Sequence, residues 1–176
     1  MNENQEEINK HFHKDAFNRS FKQLLDVIQH VNPKHQLEII IIKGHILVEQ
    51  KLWEYIEKKV PNIAPLKNAN LGFRQIFPFA NALTNQSHLN FLWPCIKKLD
   101  WLRNKLAHKL ESHSSAFLEP ATNDFINTTK SCLKDRHFFS QSESLNNQVV
   151  FCILAIHNLL DDEINPPSTG LRIGSL

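Results

Sequence analysis

The stretch LRNKLAHKL, residues 102–110, places an arginine, an asparagine and a histidine within an otherwise ordinary helical pattern. At ~100° per residue, Asn104 and His108 are neighbours one turn apart on the same side of a helix. That side carries the side chains needed to hold a phosphate and stack a base, namely Lys97, Trp101, Asn104, Lys105 and His108. The question is whether this face performs chemistry or only holds a helical protein together.

The side chain of Arg103 points to a different side of this helix from that of His108. The two side chains are ~140° apart in a straight helix, and Arg103 leans toward the core side. That core side is formed by apolar residues at helical spacing, namely Ile96, Leu99, Leu102, Leu106 and Leu110. Either the helix bends near Ala107, or the pair is completed across a symmetric dimer in which a twofold axis brings two His108 side chains together.

Each candidate also has a structural interpretation. Arg103 could form an ion pair with Asp100 or with Glu49, a carboxylate that the pattern places within an apolar seam. Trp101 is better explained as a dimer-interface anchor than as a base-stacking platform. Three lysines are solvated charges with at most a secondary role in holding RNA, namely Lys97, Lys105 and Lys109.

Composition predicts one ordinary globular domain. The chain has 176 residues, with 41% hydrophobic and 22% charged residues, and a net charge of +2 excludes a global basic field for nucleic acid. Only 4 glycines are present, too few for an all-β sandwich. We assign residues 1–165 to a single helical domain and 166–176 to a tail.

Cysteine usage and hydropathy predict a reduced, cytoplasmic protein. The three widely spaced cysteines fit neither a disulfide framework nor a zinc ribbon. The beginning of the sequence is polar and acidic, without the features of a signal peptide. The strongest apolar run, EIIIIKGHILV, is interrupted by Lys43, Gly44 and His45, so we expect no membrane association.

Apolar periodicity predicts an all-α bundle of five or six helices. Their approximate ranges are 5–31, 33–60, 70–84, 87–111, 120–137 and 144–163. Pro78 is expected to kink or truncate the third of these helices. For the second helix, the pattern predicts a core stripe of Ile39, Ile42, Ile46, Glu49, Trp53, Ile56 and Val60.

The segment KKLDWLRNKLAHKLE resembles the signature of the HEPN superfamily, in which an arginine, usually followed by a polar residue, precedes a histidine by a few positions. The upstream segment IIKGHILVEQKLWEYI is similar to the second long helix of that family, including an internal acidic residue at Glu49. NLGFRQIFPFANAL stands where bacterial members carry a short helix between the two. The resemblance covers about residues 35–112.

The resemblance implies a HEPN-type bundle, often a symmetric dimer, and a metal-independent ribonuclease without a cofactor. Arg103, Asn104 and His108 fall on the motif, with Glu49 and Asp100 as supporting residues. In this interpretation His108 transfers a proton, Arg103 stabilises the phosphate and Asn104 orients the substrate or His108. RNA is the implied substrate, in a toxin–antitoxin or phage-defence setting with a possible antitoxin. The alternative is a catalytically inactive HEPN-like regulator or adaptor that binds a protein or a nucleotide.

Overall fold

A computed structural model of the chain describes residues 36–84, 89–112, 117–133 and 144–166. These segments are all-α, with no strand among them, and they contain six helices. The helices are α1 Gln36–Lys59, α2 Ala64–Asn68, α3 Phe73–Ala82, α4 Leu92–Ser112, α5 Leu118–Cys132 and α6 Leu145–Ile164. The helix predicted over 5–31 and the predicted tail beyond Pro166 lie outside the described residues.

The helix ends follow local chemistry. The Ser144 hydroxyl caps α6 by accepting a hydrogen bond from the Asn147 amide at 3.3 Å. Pro94 lies in the first turn of α4, where amide groups have no acceptor within the helix, so its missing N–H costs nothing. The helix α4 begins at Leu92 rather than near Ser87, which itself lies outside the described residues.

The segment predicted as a loop between residues 60 and 70 contains the short helix α2. The Asn62 side chain accepts a hydrogen bond from the Ala64 amide at 3.1 Å and so starts the turn. Pro65 follows in the first turn, where its fixed φ suits a helix. The prolines therefore begin this helix rather than prevent it.

Pro78 does not truncate α3. The helix runs from Phe73 through Pro78 to Ala82. Pro78 is the sixth residue of α3, and its missing N–H leaves the Arg74 carbonyl without its usual partner within the helix. Burial of Ile76 and Ala80 on the core side holds the helix together across this position.

The predicted core stripe of α1 is only partly correct: Ile42, Trp53 and Val60 pack against the core, but they are not its centre. The buried residues of α1 are Ile40, Ile41, Gly44, His45, Val48, Leu52, Tyr55 and Ile56. Only Ile56 belongs to both sets, whereas Ile46 is 42% exposed and Ile39, Ile42 and Trp53 are half-buried. The core face is rotated around the helix because Gly44 and His45, which interrupt the apolar run in sequence, lie in the interior.

Helix α1 is central to the packing. It packs most extensively on α6 and also contacts α3 and α4, while α4 packs on α5. Gly44 allows α1 and α6 to approach each other closely, since a Cβ there would meet Ile153 Cδ1 and lie 2.9 Å from Ile153 Cγ1. These contacts fix the relative positions of α1, α3 and α4, which carry the site described below.

Two of the three free cysteines are buried among apolar side chains. Burial raises the pKa of the Cys152 thiol to about 12 and raises that of Cys95 as well, so both stay protonated at neutral pH. Cys132 is half-buried. The predicted role of the cysteines in the apolar interior is confirmed for Cys95 and Cys152. None of the described helices is sufficiently long and apolar to cross a membrane.

Candidate functional site

The two faces of α4 are those that the sequence predicted. Ile96, Leu99, Leu102 and Leu106 are fully buried or nearly so. On the opposite side, the exposed residues are Lys97, Trp101, Lys105 and His108, and Asn104 is half-buried. The side chains of residues 109–112, including Lys109 and Leu110, lie outside the described part. The helix continues unbroken through Ala107, so the face is one continuous surface.

Arg103 faces the core side of α4, as expected, but its side chain stays exposed. It lines a cavity between α4 and α1 and does not pack among the apolar core residues. Arg103 Nη1 donates a hydrogen bond to Asn104 Oδ1 at 3.0 Å. Within the described segments, Arg103 forms no ion pair with Asp100 or Glu49. Neither of the two ion pairs considered for it from the sequence is therefore present.

Asp100 connects the motif to α1. Its Oδ2 accepts a hydrogen bond from Asn104 Nδ2 at 3.1 Å, and its Oδ1 lies 3.1 Å from His45 Nε2. Because a carboxylate only accepts, the imidazole must donate in this bond. The Asp100 carboxylate therefore has both oxygens engaged, one by its own helix and one by a neighbouring helix.

His45 is the buried member of the group, with only 5% of its surface exposed. Its Nδ1 lies 3.8 Å from Glu49 Oε2, one turn further along α1. The Phe73 ring covers the imidazole, with 4.5 Å between ring centroids. Glu49 is thus not stranded in an apolar seam, as the sequence suggested, but lies beside His45 with 30% of its side chain exposed.

These residues border a cavity of about 450 Å³ between α1, the start of α3 and α4. Its lining consists of His45, Glu49, Gly72, Phe73, Arg74, Gln75, Asp100, Arg103 and Asn104. Arg74 is exposed and, among the described residues, has no ion-pair partner. The cavity thus has two carboxylates beside a buried histidine and two guanidinium groups without carboxylate partners.

The structure brings together four of the five predicted catalytic and supporting residues. Glu49, Asp100, Arg103 and Asn104 line the cavity. His108 does not: it is exposed one turn beyond Asn104. The predicted angular separation of Arg103 and His108 therefore persists in the folded chain, and one copy of α4 does not aim both side chains into this cavity.

Trp101 lies on the other side of α4, beside a second cavity of about 330 Å³. Lys98 and Lys105 lie over its ring, with Nζ at 4.5 Å and 5.6 Å from the ring centroid. Lys98 also pairs with Asp124 of α5. Trp101 is 39% exposed and, with Ile46, is one of the two exposed large apolar side chains of the described segments.

Sequence reasoning missed His45, Phe73 and Arg74 as members of the site. A signal existed for His45, which precedes Glu49 by four residues and so shares its helix face. No local pattern points to Arg74, because only the packing of α3 against α1 brings it to the cavity. In the described ranges, no group of three or more His, Cys, Asp or Glu side chains is arranged to hold a metal ion.

Comparisons of the chain with models of known protein families, with curated proteins and with solved structures found no match. Membership of the HEPN superfamily accordingly stays a prediction from the motif.

Proposed function

We propose that the chain is a metal-independent endoribonuclease of the HEPN type that acts as a homodimer. The observation that supports this proposal best is the exposure of the motif side chains on one helix. Arg103 is exposed and oriented by Asn104, and His108 is exposed on the same unbroken helix. Both side chains are accessible to a nucleic-acid phosphate, as cleavage requires.

In the proposed reaction the ribose 2′-oxygen attacks the adjacent phosphorus. His108 accepts the 2′-hydroxyl proton as the O–P bond forms, and the P–O5′ bond breaks as the leaving oxygen takes up a proton from water. Arg103 stabilises the negative charge on the phosphoryl oxygens, and Asn104 holds Arg103 in place. The products are a 2′,3′-cyclic phosphate and a 5′-hydroxyl.

A dimer resolves the separation of Arg103 and His108 around the helix. A twofold axis at the edge of the exposed face of α4, beside Asn104, would bring the partner's His108 to the Arg103 of one chain in one composite site. Trp101 lies on this face and is the candidate anchor for the interface. We place such an enzyme in the cytoplasm, in a toxin–antitoxin or phage-defence system with a possible antitoxin.

The test incubates total RNA with wild-type protein, His108→Ala and Arg103→Ala, with EDTA in every reaction. We expect wild type to cleave RNA and leave cyclic phosphate ends. Each substitution should lower the rate at least ~100-fold, as expected for loss of a general base or of a transition-state charge partner. His157→Ala, which removes a histidine of α6 far along the chain, is the matched control and should cleave at the wild-type rate.

Two results would contradict this proposal. Equal cleavage by wild type and His108→Ala would show that the activity does not come from this site. Equal inactivity of folded, dimeric wild type and His108→Ala, on RNA from several sources, would leave the motif without a catalytic role.

A second candidate is a catalytically inactive regulator that binds a nucleotide. The observation that favours it is the composition of the cavity, which includes Arg74 and Arg103 but not His108. Two guanidinium groups without carboxylate partners suit a doubly charged phosphate. The carboxylates of Glu49 and Asp100 are already directed toward His45.

Calorimetric titration with a nucleoside monophosphate distinguishes the two candidates. For the regulator, Arg74→Ala and Arg103→Ala should each weaken binding about tenfold or more, since a hydrogen bond to a charged group contributes ~1.5–3 kcal/mol. His108→Ala and Lys43→Ala, the latter an exposed cation elsewhere on α1, should bind as wild type does. Absence of binding to wild type would exclude this candidate.

A further inference from the structure

We propose that the buried His45 is a positioning residue that fixes the Arg103 guanidinium through Asp100 and Asn104. Three consecutive contacts connect them: His45 to Asp100 at 3.1 Å, Asp100 to Asn104 at 3.1 Å, and Asn104 to Arg103 at 3.0 Å. The series starts in the interior of α1 and ends at an exposed side chain of α4. Its importance for activity rests on the proposed function, in which Arg103 contacts phosphate.

The donor and acceptor groups of these side chains allow only one orientation of the hydrogen bonds in this series. Asp100 can only accept, so the Asn104 amide must turn its NH₂ group toward the carboxylate. Its carbonyl oxygen then faces Arg103, which can only donate. A reversed amide would place oxygen against carboxylate and NH₂ against guanidinium, which is unfavourable at both contacts. Asn104 therefore has one orientation, and Arg103 has a fixed acceptor.

His45 supplies the rigid end of the series. Its side chain is only 6% exposed, against 21% for Asp100. Phe73 covers the ring, and Glu49 lies 3.8 Å from its second nitrogen, so the imidazole has little freedom to turn. Without the His45 donor, Asp100 would keep only the bond to its own helix, and its carboxylate would be free to rotate toward solvent.

The contact with Asn104 uses one N–H of Arg103 and leaves its other donors for a ligand. A guanidinium held in advance loses less conformational entropy when phosphate binds and stays aligned in the transition state. In this scheme His45 does not contact the reacting atoms. It acts only through Asp100.

The test replaces His45 by leucine, which removes the donor, and by glutamine, whose amide nitrogen can replace Nε2. With RNA as substrate, His45→Leu should lower kcat by about 10- to 100-fold with little change in KM, because a misplaced group costs up to ~100-fold. His45→Gln should restore most of kcat. His157→Leu, the same substitution in α6, should leave both constants unchanged.

A double-mutant cycle separates positioning from general support of the fold. In the Arg103→Ala background, His45→Leu should cause no further loss of kcat, because there is no guanidinium left to position. The same full loss in both backgrounds would overturn the inference. Thermal unfolding of each variant shows whether the fold is kept.

A second readout needs no RNA cleavage, so it decides the inference even if the proposed function fails. Nuclear magnetic resonance of the arginine side chains should show slow guanidinium rotation for Arg103 in wild type and in His45→Gln, and fast rotation in His45→Leu. If His45→Leu does not fold, Asp100→Ala interrupts the same series at a more exposed position and should give the same fast rotation. Unchanged Arg103 rotation in a folded variant of either kind would overturn the inference.

Discussion

His157 of α6 lies close to the ion pair that joins α6 to α1. Lys51 Nζ donates to Asp161 Oδ1 at 2.8 Å and to Glu54 Oε2 at 2.6 Å. Burial alone would raise the pKa of Asp161, but the hydrogen bond and charge of Lys51 outweigh it and lower that pKa. For His157 burial dominates, so its pKa is lowered despite the nearby Asn158 side chain.

Because the pKa of His157 is lowered in the folded chain, the free energy of unfolding decreases as the pH falls. The unfolded chain binds a proton at His157 below pH ~6.5, whereas the folded chain binds it only at lower pH. The stabilisation is therefore present above pH ~6.5 and is lost as pH falls through the folded pKa. We expect the advantage of wild type over His157→Gln to shrink in that window, with a slope of at most ~1.4 kcal/mol per pH unit.

Urea denaturation of both proteins at several pH values measures this difference. Lys51→Met is a useful companion, because the lowered pKa of Asp161 should return toward its usual range when the lysine is absent. A difference between wild type and His157→Gln that is independent of pH would show that His157 has the same pKa in both states.

At the residue scale, the sequence predicted the members of α4 better than their neighbours. Asn104 and Asp100 were identified as site and supporting residues, and both line the cavity. Arg103 was expected to lean inward, and the cavity that it lines depends on the placement of α3, which no local pattern reveals. His45 was missed because a histidine within an apolar run suggests an interruption rather than a buried partner for Asp100.

The contact between α1 and α6 depends on the missing side chain of Gly44. A Cβ at this position would meet Ile153 Cδ1 and lie 3.0 Å from Ile153 Cγ2. We expect Gly44→Ala to lower the free energy of unfolding by about 1–3 kcal/mol, as overpacking does. This loss should appear although alanine favours the helix by ~1 kcal/mol over glycine.

Chemical denaturation of three single variants and one double variant checks the cause. Gly72→Ala is the matched control, because a Cβ there would lie 3.5 Å from Gln75 Oε1, an ordinary contact, and should cost less than ~1 kcal/mol. Ile153→Val removes Cδ1 and should reduce the cost of Gly44→Ala. An equal cost of Gly44→Ala with isoleucine or valine at position 153 would rule out this clash as the cause.

Helix positions were easier to predict than the faces that they bury. The range that apolar periodicity predicted for the last helix, 144–163, agrees with α6 to within a residue at each end. In α1, four successive isoleucines at 39–42 fit more than one apolar stripe, so periodicity alone does not select the core face. The selection comes from α6, which needs the small Gly44 at its contact.

For the whole molecule, the predicted dimer has a candidate anchor in Trp101. We expect light scattering to give twice the chain mass of 20.5 kDa for wild type. Truncation of a central interface tryptophan costs about 2 kcal/mol or more, so Trp101→Ala should weaken dimerisation at least ~30-fold. Ile46→Ala, at the other exposed large apolar side chain, is the control and should dimerise as wild type does.

A wild-type monomer at all concentrations would contradict the dimer and, with it, the composite site of Arg103 and the partner's His108. A dimer that survives Trp101→Ala unchanged would instead place the interface elsewhere on the surface.

The contact between Lys51 and Asp161 spans 110 positions of the chain, and the interface that it belongs to is the most extensive packing of α1. Such a contact requires closure of a long loop, which slows folding. During synthesis on the ribosome, α1 leaves the exit tunnel long before α6. The part of its apolar surface that packs on α6 therefore stays uncovered until α6 has been made.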